Sequence, residues 1–297
     1  MTVKHEYRKQ IKSVKWLIFW VVLAQFAANI AVQAAVSFMQ NPPHEYIQIA
    51  ICELLAVGVP IMVYGRSEWR GSAENLKNEL MLKRCGLRIG LIAAAIGITG
   101  QFIMMLLNMP VNIYIQTVLK AESADAIPVA LSGFDIALGF VAVVILPAFL
   151  EEFWMRGLVF RAYNRCSTTG AVVFTSLVFA LAHMRMNEFV GLIFMGFMAA
   201  YIMLRTKSLY AAIIYHAASN AAALLFGFVL ANVLDYLWWI FGAATALFFV
   251  SIVLLNRNTK RIHKNKTVKA GKLVWRSIFS LPFILSVLVA VLRHYIV

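Results

Sequence analysis

Charge is scarce in this chain. Only 13% of its 297 residues are charged, while 62% are hydrophobic, and the mean hydropathy is +0.80. That balance excludes a soluble globular domain and predicts a polytopic membrane protein. Cysteine is equally thin: Cys52, Cys85 and Cys166 are scattered, with no C-x-x-C spacing. Neither a disulfide framework nor a thiolate metal site follows from them. Internal repeats and low-complexity tracts are missing. So is the helical zinc motif H-E-x-x-H, since four residues after His5 stands Lys9 and four after His44 stands Gln48.

Basic residues are plentiful by contrast, 27 Lys and Arg against 13 Asp and Glu, for a net charge of +14. They cluster in short segments between apolar runs, which assigns them to membrane topology and anionic lipid and gives no reason to expect nucleic acid. The rule of ~20 apolar residues per crossing predicts an all-α membrane domain over residues 1–297 with eight or nine spans. They lie near Trp16–Phe38, Tyr46–Tyr64, Ile89–Leu107, Asp135–Tyr163, Ala171–His183, Phe189–Leu204, Leu209–Leu230, Tyr236–Leu255 and Ser277–Leu292. The basic N-terminus precedes a long apolar run without an evident cleavage site, which reads as a retained first span. Lys and Arg concentrate before that span, in Arg66–Arg88, at Arg161–Arg165, at Arg205–Lys207 and in Arg257–Arg276. This bias predicts a cytoplasmic N-terminus. The segment Val111–Gly133 is too polar to span and too long for a tight turn, and reads as an element or lid on the outer surface.

Within this apolar background the polar residues at depth stand out. Glu151 and Glu152 are adjacent in the fourth span, and Arg156 follows. A charge near mid-bilayer costs about 3 kcal/mol, so these three ask for an explanation. The four-residue spacing lets Glu152 and Arg156 neutralise each other, leaving Glu151 about 100° around the helix without an obvious partner. An unpaired intramembrane carboxylate is a functional candidate. His183 ends the fifth span, four residues after Phe179, and His216 and Asn220 share a face of the seventh. Measured from the basic ends of their helices, Glu151 and His183 lie about 20 Å deep, and His216 and Asn220 between about 14 and 20 Å. These groups converge at one level if the fourth helix continues to about Arg165. Glu53, in the second span, is a further intramembrane acid. It belongs to no motif and suits a structural pair, a gate or a substrate contact.

Such a set supports more than one chemistry. A carboxylate and an imidazole can hold and deprotonate water. A second imidazole and a primary amide can donate to a developing oxyanion. Alternatively, Glu151, His183 and His216 make a three-ligand set for a catalytic divalent metal such as zinc.

The three motifs, in order, resemble those of the CPBP intramembrane endopeptidase family, which contains the CAAX proteases and the bacterial Abi-type proteins. The E-E-x-x-x-R pattern is similar to Glu151–Arg156 with Gly157 following, F-x-x-x-H to Phe179–His183, and H-x-x-x-N to His216–Asn220. The resemblance covers about 135–224, the catalytic core within the single membrane domain. It implies an endopeptidase that cuts a membrane-inserted or lipidated substrate. It also implies that Glu151 and His183 activate water, with Glu152 beside them, while His216 and Asn220 stabilise the oxyanion and Arg156 and Phe179 support the site. Metal dependence is disputed within the family, and Asn220, a poor zinc ligand, favours the metal-free scheme. A proton-coupled transporter and a non-catalytic membrane scaffold are the alternatives. The basic loops and compact size suggest a bacterial plasma membrane.

Overall fold

The structure is a computed structural model that describes residues 3–68, 80–120, 133–229 and 234–296. The described residues are almost entirely helical, as the apolar runs predict. The elements are α1 (Val3–Ser37), α2 (Glu45–Arg66), α3 (Leu87–Thr117), α4 (Gly133–Asn164) and α5 (Thr168–His183). They continue with α6 (Phe189–Thr206), α7 (Leu209–Val229), α8 (Leu237–Asn258), α9 (Ala270–Ile278) and α10 (Leu281–Ile296). Among the described residues, seven helices are long and apolar enough to cross a membrane, or eight if α9 and α10, bent by 59°, count as one span. The chain is an all-α, multi-pass membrane protein.

Two regions differ from the sequence reading. Val111–Thr117 does not leave the third span: α3 runs on through Pro110 to Thr117. A proline inside a helix removes one hydrogen bond but need not end it where neighbouring helices support the backbone. The remainder of that segment, 121–132, lies outside the described residues. At the other end, Ser277 belongs to α9, a separate amphipathic helix that keeps Leu273 buried and Trp275 exposed before the chain turns into α10.

The packing that positions the site is close. α3 lies against α7, α8 and α6, and α7 also packs on α4. The α3–α7 contact depends on Gly97, where a Cβ would come within 2.2 Å of the Tyr215 carbonyl oxygen. Small residues allow such backbone approach where lipid offers no hydrophobic drive for helices to associate. Gly196 of α6 does the same against Ser176 of α5, at 2.9 Å from the Ser176 Cα. Gly191 donates its amide to the Asn108 side chain of α3 at 2.7 Å. Both glycines are therefore close-packing points although their spacing is not that of G-x-x-x-G.

α4 carries the polar pair and is irregular. It has 32 residues, about 48 Å at 1.5 Å per residue, and so overshoots the ~30 Å hydrocarbon core. Two π-helical stretches, Phe140–Ile145 and Phe153–Phe160, flank Leu146–Glu152. Such widened turns occur often at functional sites. α5 is short: its 16 residues reach about 24 Å, less than the ~30 Å of a hydrocarbon core. The start of α5 is strapped to the segment after α8. Thr168 donates its amide to the Asn265 carbonyl at 3.1 Å, and the Asn265 amide donates to Thr168 Oγ1 at 2.9 Å.

Candidate active site

Glu152 is fully buried and sits at the centre of a charge network. Its Oε1 lies 3.0 Å from Arg156 Nη1 and 2.9 Å from His216 Nδ1. The first contact is an ion pair without aligned hydrogen-bond geometry; the second is a hydrogen bond. Arg156 is also 1% exposed. Its Nη2 donates to the Gly196 carbonyl at 2.9 Å, and its guanidinium carbon lies 4.9 Å from the centre of the Phe179 ring. The expected Glu152–Arg156 pair is present, with His216 as a third member.

The contact with Glu152 orients His216. An ionised carboxylate can only accept, so Nδ1 carries a proton and Nε2 is turned away from Glu152. His183 is fixed the same way by its own helix: Nδ1 donates to the Phe179 carbonyl one turn back, at 2.9 Å. Its Nε2 faces Glu151 Oε2 at 3.7 Å. That carboxylate oxygen is buried without a hydrogen-bond partner. Arg293 of α10 donates to the His183 carbonyl at 3.3 Å and so caps the end of α5.

Phe179 is more than packing. Its ring stands 4.7 Å from the His183 ring and 5.7 Å from the His216 ring, centre to centre, and beneath the Arg156 guanidinium. It holds the two imidazoles on either side of one apolar surface.

Asn220 has a local reason for its place. Pro147 has no amide to give to the Val143 carbonyl four residues back. Asn220 Nδ2 donates to that carbonyl at 3.0 Å. An unpaired carbonyl in an apolar layer costs several kcal/mol, so the bond ties α7 to the helix that carries Glu151.

A small cleft, with room for about one water, opens at Glu151 and His183. Phe179 and Ala182 line it beside them, together with Trp154 of α4, Gln25 of α1 and Val57 of α2. The cleft thus gathers Glu151, His183 and Phe179 of the sequence-derived set. Glu152, Arg156 and His216 form the network described above, and Asn220 is engaged with Val143; none of these four lines the cleft. Gln25, Val57, Ala182 and Trp154 were missed. Gln25 and Val57 come from helices far away in sequence. Trp154 lies in the π-helical stretch Phe153–Phe160, where a spacing of 3.6 residues per turn does not place it with Glu151. Glu53 has no ion-pair partner among the described residues. Its Oε1 is buried without a hydrogen bond, and it lies close enough to Glu151 for their charges to repel.

No group of three His, Cys, Asp or Glu side chains is gathered for a metal among the described residues. Of the three ligands that the zinc alternative needs, Glu151 and His183 face each other at 3.7 Å, and His216 turns Nδ1 to Glu152.

Comparison with known proteins agrees with the motifs. Neither the curated proteins nor the solved structures gave a match. Residues 133–222, under a third of the chain, match the Rce1-like family model, described as type II CAAX prenyl endopeptidase Rce1-like; the segment holds Glu151, Glu152, Arg156, Phe179, His183, His216 and Asn220 and is similar to the CPBP/CAAX protease family.

Proposed function

We propose that the protein is an intramembrane endopeptidase that hydrolyses a peptide bond of a membrane-inserted or lipidated substrate. The observation that carries this reading is the pair Glu151 Oε2 and His183 Nε2, 3.7 Å apart at the cleft. With His183 Nδ1 committed to a backbone carbonyl, both facing atoms are acceptors. One water can donate to both, and is then held against two bases. Deprotonated water attacks the scissile carbonyl, and the proton returns to the leaving amine from the same pair. Glu152 orients His216, and Arg156 neutralises the carboxylate that does so. The polar side chains are held before the substrate arrives, which lowers the reorganisation that the charged transition state demands.

The family match supports a CAAX-type substrate, a prenylated C-terminal peptide. The Lys and Arg bias supports a cytoplasmic N-terminus in a bacterial plasma membrane. The transporter reading draws on one observation, the second buried acid Glu53 beside Glu151, and it predicts ion flux in proteoliposomes rather than cleavage.

The test is the membrane peptidome of cells carrying wild type or Glu151→Gln. Uncut substrate should accumulate with the variant, and purified variant should lose about 10²–10⁴ in rate as expected for a lost general base. Turnover near wild type would remove Glu151 from the mechanism.

A further inference from the structure

The cleft has a hydrogen-bond donor that the mechanism above does not use. Trp154 is 2% exposed and lines the cleft with Glu151 and His183, and its Nε1 is buried without a hydrogen-bond partner. An indole N–H can only donate. Buried donors are nearly always paired, and an unmade bond costs the full desolvation of the group. The two side chains that the motifs suggest as donors do not line this cleft: His216 turns Nδ1 to Glu152, and Asn220 gives one of its two N–H groups to Val143. Trp154 stands three residues after Glu151 in α4 and lines the same cleft.

We propose that the Trp154 indole N–H binds a main-chain carbonyl oxygen of the substrate peptide and so seats it against Glu151 and His183. The inference rests on the endopeptidase reading. A peptide in an apolar cleft must pair its own carbonyls, and a fixed indole suits that need, because it offers one donor on a rigid ring that loses little freedom on binding. Trp154 is on this view a substrate-binding residue, distinct from the water-activating pair.

The experiment uses full-length protein in detergent or proteoliposomes and a synthetic farnesylated C-a-a-X peptide. Trp154 is replaced by its benzothiophene analogue, which keeps the bicyclic shape and lacks the N–H, and separately by Phe. The analogue should lose about 10-fold in kcat/KM, as a neutral hydrogen bond predicts, with its fold and thermal midpoint unchanged. The Trp154→Phe variant should lose at least as much. In parallel, the indole N–H signal of Trp154 is followed by NMR in Glu151→Gln protein, which should bind without cutting. It should move downfield when the peptide is added.

An analogue that cuts within twofold of wild type, or an indole signal that does not respond to the peptide, overturns the inference. Wild type that cuts while the analogue cuts equally well overturns it and leaves the endopeptidase reading intact. Wild type that cuts nothing while the indole signal still moves preserves the contact and removes the proteolysis. If there is neither cleavage nor shift, both fail.

Discussion

Glu152 Oε1 accepts from His216 Nδ1 at 2.9 Å while the same oxygen faces Arg156 at 3.0 Å. One buried carboxylate thus neutralises a cation and orients an imidazole. Replacing it with Gln strands a buried guanidinium, which costs roughly 3–5 kcal/mol for a fully buried pair. Glu152→Gln should therefore lower the thermal midpoint clearly. Glu152→Gln with Arg156→Gln should regain part of the loss, because no charge is left unpaired. It should not regain activity, because His216 has lost the acceptor that fixes it. A double variant as unstable as the single would show that the charge balance is not what the pair supplies.

The bond from Asn220 to the Val143 carbonyl predicts a rescue. Asn220→Ala removes the side-chain donor to that carbonyl and should cost about 1 kcal/mol. Pro147→Ala supplies the amide that proline lacks, so Asn220→Ala with Pro147→Ala should be more stable than Asn220→Ala alone. Kinetics separate the second role. If the free N–H of Asn220 also donates to the oxyanion, a loss of about 10²–10³ in kcat persists in the stabilised double variant. Strictly additive destabilisation would refute the capping role.

Gly97 gives a test of how packing controls the site. A Cβ there would sit 2.2 Å from the Tyr215 carbonyl oxygen and 3.0 Å from the Ser219 amide nitrogen, on either side of His216 in α7. Backbone cannot yield as a side chain can. Gly97→Ala should cost about 1–3 kcal/mol and lower activity by moving His216 off Glu152. Gly242→Ala is the control, since nothing stands within 4 Å of its added carbon. Equal behaviour of the two variants in thermal unfolding would show that the helices part freely.

Much of this arrangement was legible. Spans follow from apolar length, and Glu151, Glu152, His183 and His216 follow from the cost of polar groups at depth. The pairing of Glu152 with Arg156 follows from helical spacing. What the sequence hid has physical causes. Spacing rules assume 3.6 residues per turn, and the π-helical stretches at Phe140–Ile145 and Phe153–Phe160 break that assumption beside the site. Gln25 and Val57 reach the cleft only through long-range packing, which no local pattern encodes. The Asn220 contact depends on Pro147, whose missing amide is evident in sequence but whose satisfying partner on α7 is not. Trp154 was overlooked because an aromatic in an apolar helix reads first as packing.

The orientation of the site follows from topology, and topology can be measured. The connection after α1 has no Lys or Arg over Gln40–Glu45, whereas Arg257–Arg276 is densely basic. The positive-inside bias then sets Asn41 outside and Lys264 in the cytoplasm. Both residues are exposed, so a cysteine at either should report its surroundings without disturbing the core. Cys52, Cys85 and Cys166 are all free thiols and must be replaced first. Added to intact cells, an impermeant thiol reagent should label Asn41→Cys and spare Lys264→Cys until the cells are opened. Because Thr168 is strapped to Asn265, the start of α5 shares the side of Lys264. Labelling of Lys264→Cys in intact cells would invert the whole assembly and bring the basic strap to the outside.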